Sequence, residues 1–169
     1  MKEEVFLKLT NSFSDKLYRV AKRLLISNEE AEDALQEVLL KLWKRKKTIV
    51  KYKSPEALAI TMTKNYCYDK LKAKSSGNVK IEHANYTDEH TSLQHQIEAK
   101  NSMEWVHKII NTLPEQQRLV IQLRDIEQFD TSEVAAMLTM NENAVRVALS
   151  RGRKVLREEL IKKQNYGIV

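Results

Sequence analysis

Apolar side chains recur at Phe13, Leu17, Val20, Ala21, Leu24 and Leu25, three and four residues apart, with Lys16, Arg19, Lys22 and Arg23 between them. That rhythm predicts an amphipathic helix with a single buried face. Ser27 and Glu30 stand in the S-x-x-E form of a capping box, in which each side chain satisfies a free amide of the first turn. A second helix is therefore expected from there to about Lys44. Its buried stripe is Ala31, Leu35, Val38, Leu42 and Trp43, which leaves Glu32, Asp33, Gln36 and Glu37 toward solvent. Ser54-Pro55 marks a third start, a cap residue with proline at the first helical position, where its missing N–H costs nothing. This helix is expected to reach Lys74.

After Ala73 the pattern fails. Ser75-Ser76-Gly77-Asn78 is a breaker cluster, and the polar stretch beyond it has too few apolar residues to bury, so residues 75–100 read as a linker. Periodicity returns with Met103, Val106, Ile109 and Ile110, and again after Leu113-Pro114 with Val120, Leu123 and Ile126. Asp130 and Glu133 have cap-and-N3 spacing before a short helix with Val134, Ala135 and Leu138 inward. Thr139-Met140-Asn141 is a brief turn, and Asn141 can cap a last helix striped by Val145, Leu149, Leu156 and Leu160. Two helices joined by so short a turn make a helix-turn-helix. The expected fold is all-α: two small helical domains, residues 1–74 and 101–169, joined by a flexible linker, the second ending in the helix-turn-helix.

Composition agrees with helices. Three glycines and two prolines in 169 residues are too few for a sheet protein full of tight turns. The net charge of +6 and a pI near 9.3 point to a polyanionic partner. The excess is local: residues 1–72 hold 16 Lys and Arg against 10 Asp and Glu, whereas residues 101–169 hold 10 against 9. A single cysteine, Cys67, allows no intramolecular disulfide, and no apolar run approaches the ~20 residues of a membrane span, so no direct membrane insertion and a cytoplasmic location are expected.

The second helix of a helix-turn-helix enters the major groove, so its outward face should lack acids that repel phosphate. Between Ala144 and Arg157 this chain places Arg146, Arg151, Arg153, Lys154 and Arg157 and no Asp or Glu. Asn143, Arg146, Val147 and Ser150 lie near the helix start, where base edges are read; Arg151, Arg153 and Lys154 are better placed for phosphates. The plainer alternative is a solvated basic face on a C-terminal helix. No phosphate-cradling glycine loop, catalytic triad or convincing carboxylate pair is visible, so no catalytic residue and no cofactor are expected. His83, His90, His95 and His107 match no common metal spacing and read as solvent-exposed, and Cys67 reads as a small semi-buried residue.

Two blocks in order carry a resemblance. The first is Ala31-Glu32-Asp33-Ala34-Leu35-Gln36-Glu37-Val38 with Leu42-Trp43. The second is Leu113-Pro114 with Arg118, then Glu133-Val134-Ala135, Val145-Arg146 and Leu149-Ser150-Arg151-Gly152-Arg153. From about Phe13 to Leu160 the chain resembles the extracytoplasmic-function type of bacterial sigma factor, in the sigma-70 family. The resemblance implies a subunit that binds core RNA polymerase, through the β′ clamp helices and the β flap, and directs it to promoter DNA. It puts Asp33, Gln36 and Glu37 on the polymerase-binding face, with Leu39 and Leu40 at its edge. It makes Asn65, Asp69 and Lys72 readers of the minus-ten element, with Tyr52, Lys53 and Ser54 in the loop that holds a flipped base. Residues 101–169 would read the minus-thirty-five element, and an anti-sigma factor would restrain the protein. The chain departs from the family at Ala57-Leu58, where many members have tryptophan before leucine. Thr139 stands where glycine is frequent, and Gly152 stands for an alanine, at an expected cost of about 0.5–1 kcal/mol of helix stability.

Two other readings fit parts of the chain. A dimeric helix-turn-helix regulator with a ligand-sensing N-terminal half explains the last domain but not the Ala31–Val38 block. A helical RNA-processing enzyme lacks a visible acid, base or metal cluster.

Overall fold

The computed structural model describes residues 2–76 and 94–166, the stretch 94–101 by its backbone. The described residues form helices and no strands: α1 (Glu3–Asn11), α2 (Ser14–Leu25), α3 (Asn28–Lys44), α4 (Lys46–Ile49) and α5 (Pro55–Ser76) in the first half, then α6 (Gln94–Thr112), α7 (Glu115–Ile121), α8 (Thr131–Leu138) and α9 (Glu142–Asn165). The predicted cap residues cap their helices, though at Ser27 only half of the expected box forms, since the Glu30 carboxylate pairs with Lys74. Ser27 Oγ accepts from Glu30 N, Ser54 Oγ from Ala57 N at 3.1 Å, and Asn141 Oδ1 from Ala144 N at 2.7 Å. Asp130 and Glu133 close a full capping box. Helix occupies both ends of the stretch 75–100 read as a linker, since α5 ends at Ser76 and α6 begins at Gln94. The rest of that stretch, with His83 and His90, lies outside the described residues.

Helices α2, α3 and α5 make the first core. Leu17, Val20, Val38, Leu42, Ala59 and Ile60 are fully or almost fully buried there, each large side chain contributing about 1.5–3 kcal/mol. Residues 3–11, which the spacing did not single out, add Phe6, whose ring meets Trp43 edge-on at 5.0 Å between centroids. The second half folds α7, α8 and α9 around Val120, Leu123, Val134 and Val145. Gly152 permits the closest approach. A Cβ there would lie 2.5 Å from Cδ1 of Ile121, which is itself buried, so this glycine serves the packing of α9 on α7. Beside its cost in helix propensity the glycine therefore has a packing role that its position in the sequence does not disclose.

Beyond Ile121 the helix widens into a π turn, Gln122–Ile126, closed by Glu127 N donating to Gln122 O at 2.9 Å. The five-residue step turns Gln122 and Glu127 to the same side, where Gln122 Nε2 donates to Glu127 Oε1. That side faces α2. Arg19 forms a paired contact with the Glu127 carboxylate, both bonds at 2.7 Å. Arg23 donates to Gln122 Oε1 at 2.9 Å and to Asn111 Oδ1 at 2.8 Å, with His107 Nδ1 2.8 Å from its third nitrogen.

The two halves are therefore docked. Lys64 of α5 is buried and donates to the Met137 carbonyl at the end of α8. Apolar contact is continuous as well: Leu119 packs with Ala21, Leu24, Leu25 and Cys67 of the first half. His107 is solvent-exposed, as its spacing suggested, and one ring nitrogen meets Arg23.

Candidate functional site

The acidic face of α3 is set by its buried stripe. Ala31, Ala34, Val38 and Leu42 are fully buried, which turns Asp33, Gln36 and Glu37 outward. Leu40 is exposed beside them, whereas Leu39 packs partly against the core and offers less surface. Asp33 has one weak partner, Lys70 Nζ at 3.7 Å, and its side chain is 66% exposed, so solvent screening leaves it available to an incoming cation.

Helix α5 divides its faces. Thr63, Lys64 and Cys67 point inward, and Asn65, Asp69 and Lys72 lie together on the exposed side. Burial pushes the Cys67 thiol up to about 12, so it is a packing residue with no thiolate at neutral pH. Lys64 is held below its ordinary value by desolvation, and its ammonium is taken up by the Met137 carbonyl. Before α5, Tyr52 and Lys53 are exposed, while the Ser54 hydroxyl is engaged as the helix cap. The sequence reading passed over the neighbouring run Lys44, Arg45, Lys47 and Lys51, all exposed beside Tyr52 and Lys53. Its signal was the run of cations itself.

In the helix-turn-helix, Val145, Ala148 and Gly152 face the core and fix which side of α9 is free. Asn143, Arg146, Val147, Ser150, Arg151 and Lys154 are all exposed. Arg146 is paired one turn back with Glu142 at 2.7 Å, an acid that the sequence reading did not weigh. Arg153 differs from the others. Its guanidinium makes a paired contact with Asp125, at 2.9 and 2.5 Å, which raises its pKa, so it braces α9 against the π turn. Among the described residues no group of His, Cys, Asp and Glu is placed to hold a metal ion, and no helix is long and apolar enough to cross a membrane.

A helix-turn-helix with a basic free face, joined to a helical domain with an acidic one, defines a DNA-binding transcription protein with a second macromolecular partner. Residues 9–77 match the family description Sigma-70 region 2, and residues 103–156 match Sigma-70, region 4. The RNA polymerase sigma-E factor of Streptomyces avermitilis is 30% identical over 146 residues, 86% of this chain and 79% of that protein. Its counterpart in Streptomyces coelicolor is 29% identical over 147 residues, 87% and 81% of the two chains. The chain belongs to the sigma-70 family of RNA polymerase sigma factors.

Solved structures agree on the fold. The sigma factor RpoE of Bartonella quintana, crystallised with the anti-sigma factor NepR, superposes with a TM-score of 0.74 at 24% identity, over 93% of this chain and 97% of that one. CnrH, solved with the cytosolic domain of CnrY, gives 0.67 at 19% identity, over 95% and 90%.

Proposed function

We propose that the exposed acids of α3 dock on core RNA polymerase while α5 and α9 read the two promoter elements, and that the chain has no catalytic role of its own. The observation that carries the reading is the exposure of Asp33, Gln36 and Glu37 on one face of α3, with no buried function to explain them. Residues 1–74 would hold the polymerase clamp helices and open the minus-ten element, with Asn65, Asp69 and Lys72 toward the displaced bases. A flipped base costs a few kcal/mol of unstacking, which Tyr52 and the cations from Lys44 to Lys53 are suited to offset. Residues 101–169 would read the minus-thirty-five element, Arg146 and Asn143 at base edges and Arg151 and Lys154 at phosphates. The work is done in the cytoplasm, and an anti-sigma protein restrains it; the sigma factor RpoE of Bartonella quintana, which shares the fold, was solved in complex with the anti-sigma factor NepR.

The test is the double variant Asp33→Lys/Glu37→Lys. Both side chains are exposed, so helicity and folding stability should change by no more than about 0.5 kcal/mol, while affinity for core polymerase is lost. A variant that binds core polymerase like the parent chain refutes the assignment of this face.

A further inference from the structure

Between the two halves lies a cleft of about 460 Å³, within the range of small-ligand sites, which gather at domain interfaces. Four cations line it: Arg19, Lys22 and Arg23 from α2 and Lys108 from α6. Among the described residues the only carboxylate in its lining is the exposed Glu104. Glu127 lies behind the wall, its side chain 1% exposed and committed to Arg19 and Gln122. Arg23 is the informative residue. It is 8% exposed, yet its three bonds go to two amide oxygens and an imidazole, and no carboxylate pairs with it. Contact between domains alone would be served better by an acid at one of those positions, because a buried cation without a counter-ion is costly. Neutral acceptors instead fix the guanidinium, and the counter-charge of Glu127 acts on it only from beyond Gln122, while paired with Arg19. Lys22, held by Asn28 Oδ1, and Lys108, stacked on Trp105, stand at the same opening. Tyr18, Ile26 and Ile126 give the remaining wall an apolar, partly aromatic character.

We propose that this cleft binds a small phosphorylated metabolite, its phosphoryl oxygens on Arg23, Lys22 and Lys108 and its less polar body against Tyr18, Ile26 and Ile126. Fixed guanidinium forks and ammonium groups are the usual partners of phosphate, and a cleft this size admits a nucleotide. Because the cations come from α2 and α6, the ligand joins the two halves and favours the docked arrangement.

Titration calorimetry of the full chain with pyrophosphate and with adenosine triphosphate, at near-physiological ionic strength, tests this. One saturable site is expected, with a rise in melting temperature. The double variant Lys22→Ala/Lys108→Ala should bind at least about tenfold more weakly, each lost charge-assisted bond being worth that much. Lys72→Ala/Lys154→Ala, which removes cations from the DNA-facing sides, should bind like the parent chain. Circular dichroism checks that both variants keep their helices. Absence of saturable binding, or equal loss in both double variants, overturns the proposal. So does citrate binding as tightly as pyrophosphate, which would make the site one for any multivalent anion. Duplex DNA that displaces pyrophosphate, and that itself binds the Lys22/Lys108 variant more weakly, would reassign the cleft to a polynucleotide backbone and equally overturn it.

Discussion

Replacing Thr139 by glycine should stabilise the C-terminal half without altering what it reads. Thr139 ends α8 at φ 55° and ψ 46°, the left-handed region, where a side chain with a Cβ costs roughly 1–2 kcal/mol. A β-branched residue has no local compensation there, and the Thr139 side chain is exposed without a hydrogen bond to lose. The backbone needs the conformation. Met140 N donates to Ala135 O at 2.9 Å and Thr139 N to Ala136 O at 3.4 Å, the paired bonds that close a helix end with a left-handed residue. Glycine keeps both bonds and removes the strain, against about 0.5–1 kcal/mol of extra chain entropy in the unfolded state. The balance is a gain of about 0.5–1 kcal/mol, or a few degrees in the melting temperature of a domain this size. Urea unfolding followed by circular dichroism, beside a thermal melt, measures it. A melting temperature that stays put or falls would mean that the turn is not strained at Thr139, and the argument would fail.

Gly152→Ala should destabilise despite alanine's better helix propensity, by about 1 kcal/mol, because its Cβ meets Ile121; adding Ile121→Val should recover most of the loss in urea unfolding. Arg19→Ala strips the buried Glu127 carboxylate of its ion-pair partner. Since Arg19 itself is half exposed, a loss of about 1–2 kcal/mol is expected in thermal melts, and a smaller one in Glu127→Gln/Arg19→Ala. His107 is held below the ordinary histidine value by desolvation first and then by Arg23 and Lys22, with Glu104 the acid nearest in the cleft wall. A depressed histidine binds fewer protons when folded, so its contribution is complete above the ordinary value of about 6.5 and is lost as pH falls below it. NMR titration should find His107 titrating below that value and, in Arg23→Gln, moving back toward it; an unshifted His107 in the parent chain would refute the contact.

The elements were legible where capping chemistry and periodicity coincide. Ser27, Ser54, Asp130 and Asn141 mark helix starts because their side chains can reach a free amide three residues on, a purely local rule. The outward set on α3 and the free side of α9 follow in the same way from the stripes beneath them. What the sequence did not disclose is non-local. Arg19 and Arg23 look like ordinary solvated cations between apolar positions, and nothing near them announces partners 84 to 108 residues away, on α6 and at the π turn. Lys64 gives no hint that its ammonium closes the end of α8. Arg153 gives no sign in the sequence that Asp125, in the π turn before α8, holds it, while its side chain stays half exposed. Gly152 looked like a weakness because its neighbour Ile121 belongs to another helix.

The pairing of Arg19 with Glu127 reaches beyond stability. Arg19 and the buried Glu127 carboxylate sit in different halves of the chain, so a substitution that removes Arg19 leaves a buried charge unmatched across the contact. Exchanging one half for that of a relative would bring in a surface fitted to a different partner, and a hybrid built at the linker inherits this mismatch even when both of its parts fold well. The contact thus ties the choice of one half to that of the other, and it limits how freely halves of different chains can be combined.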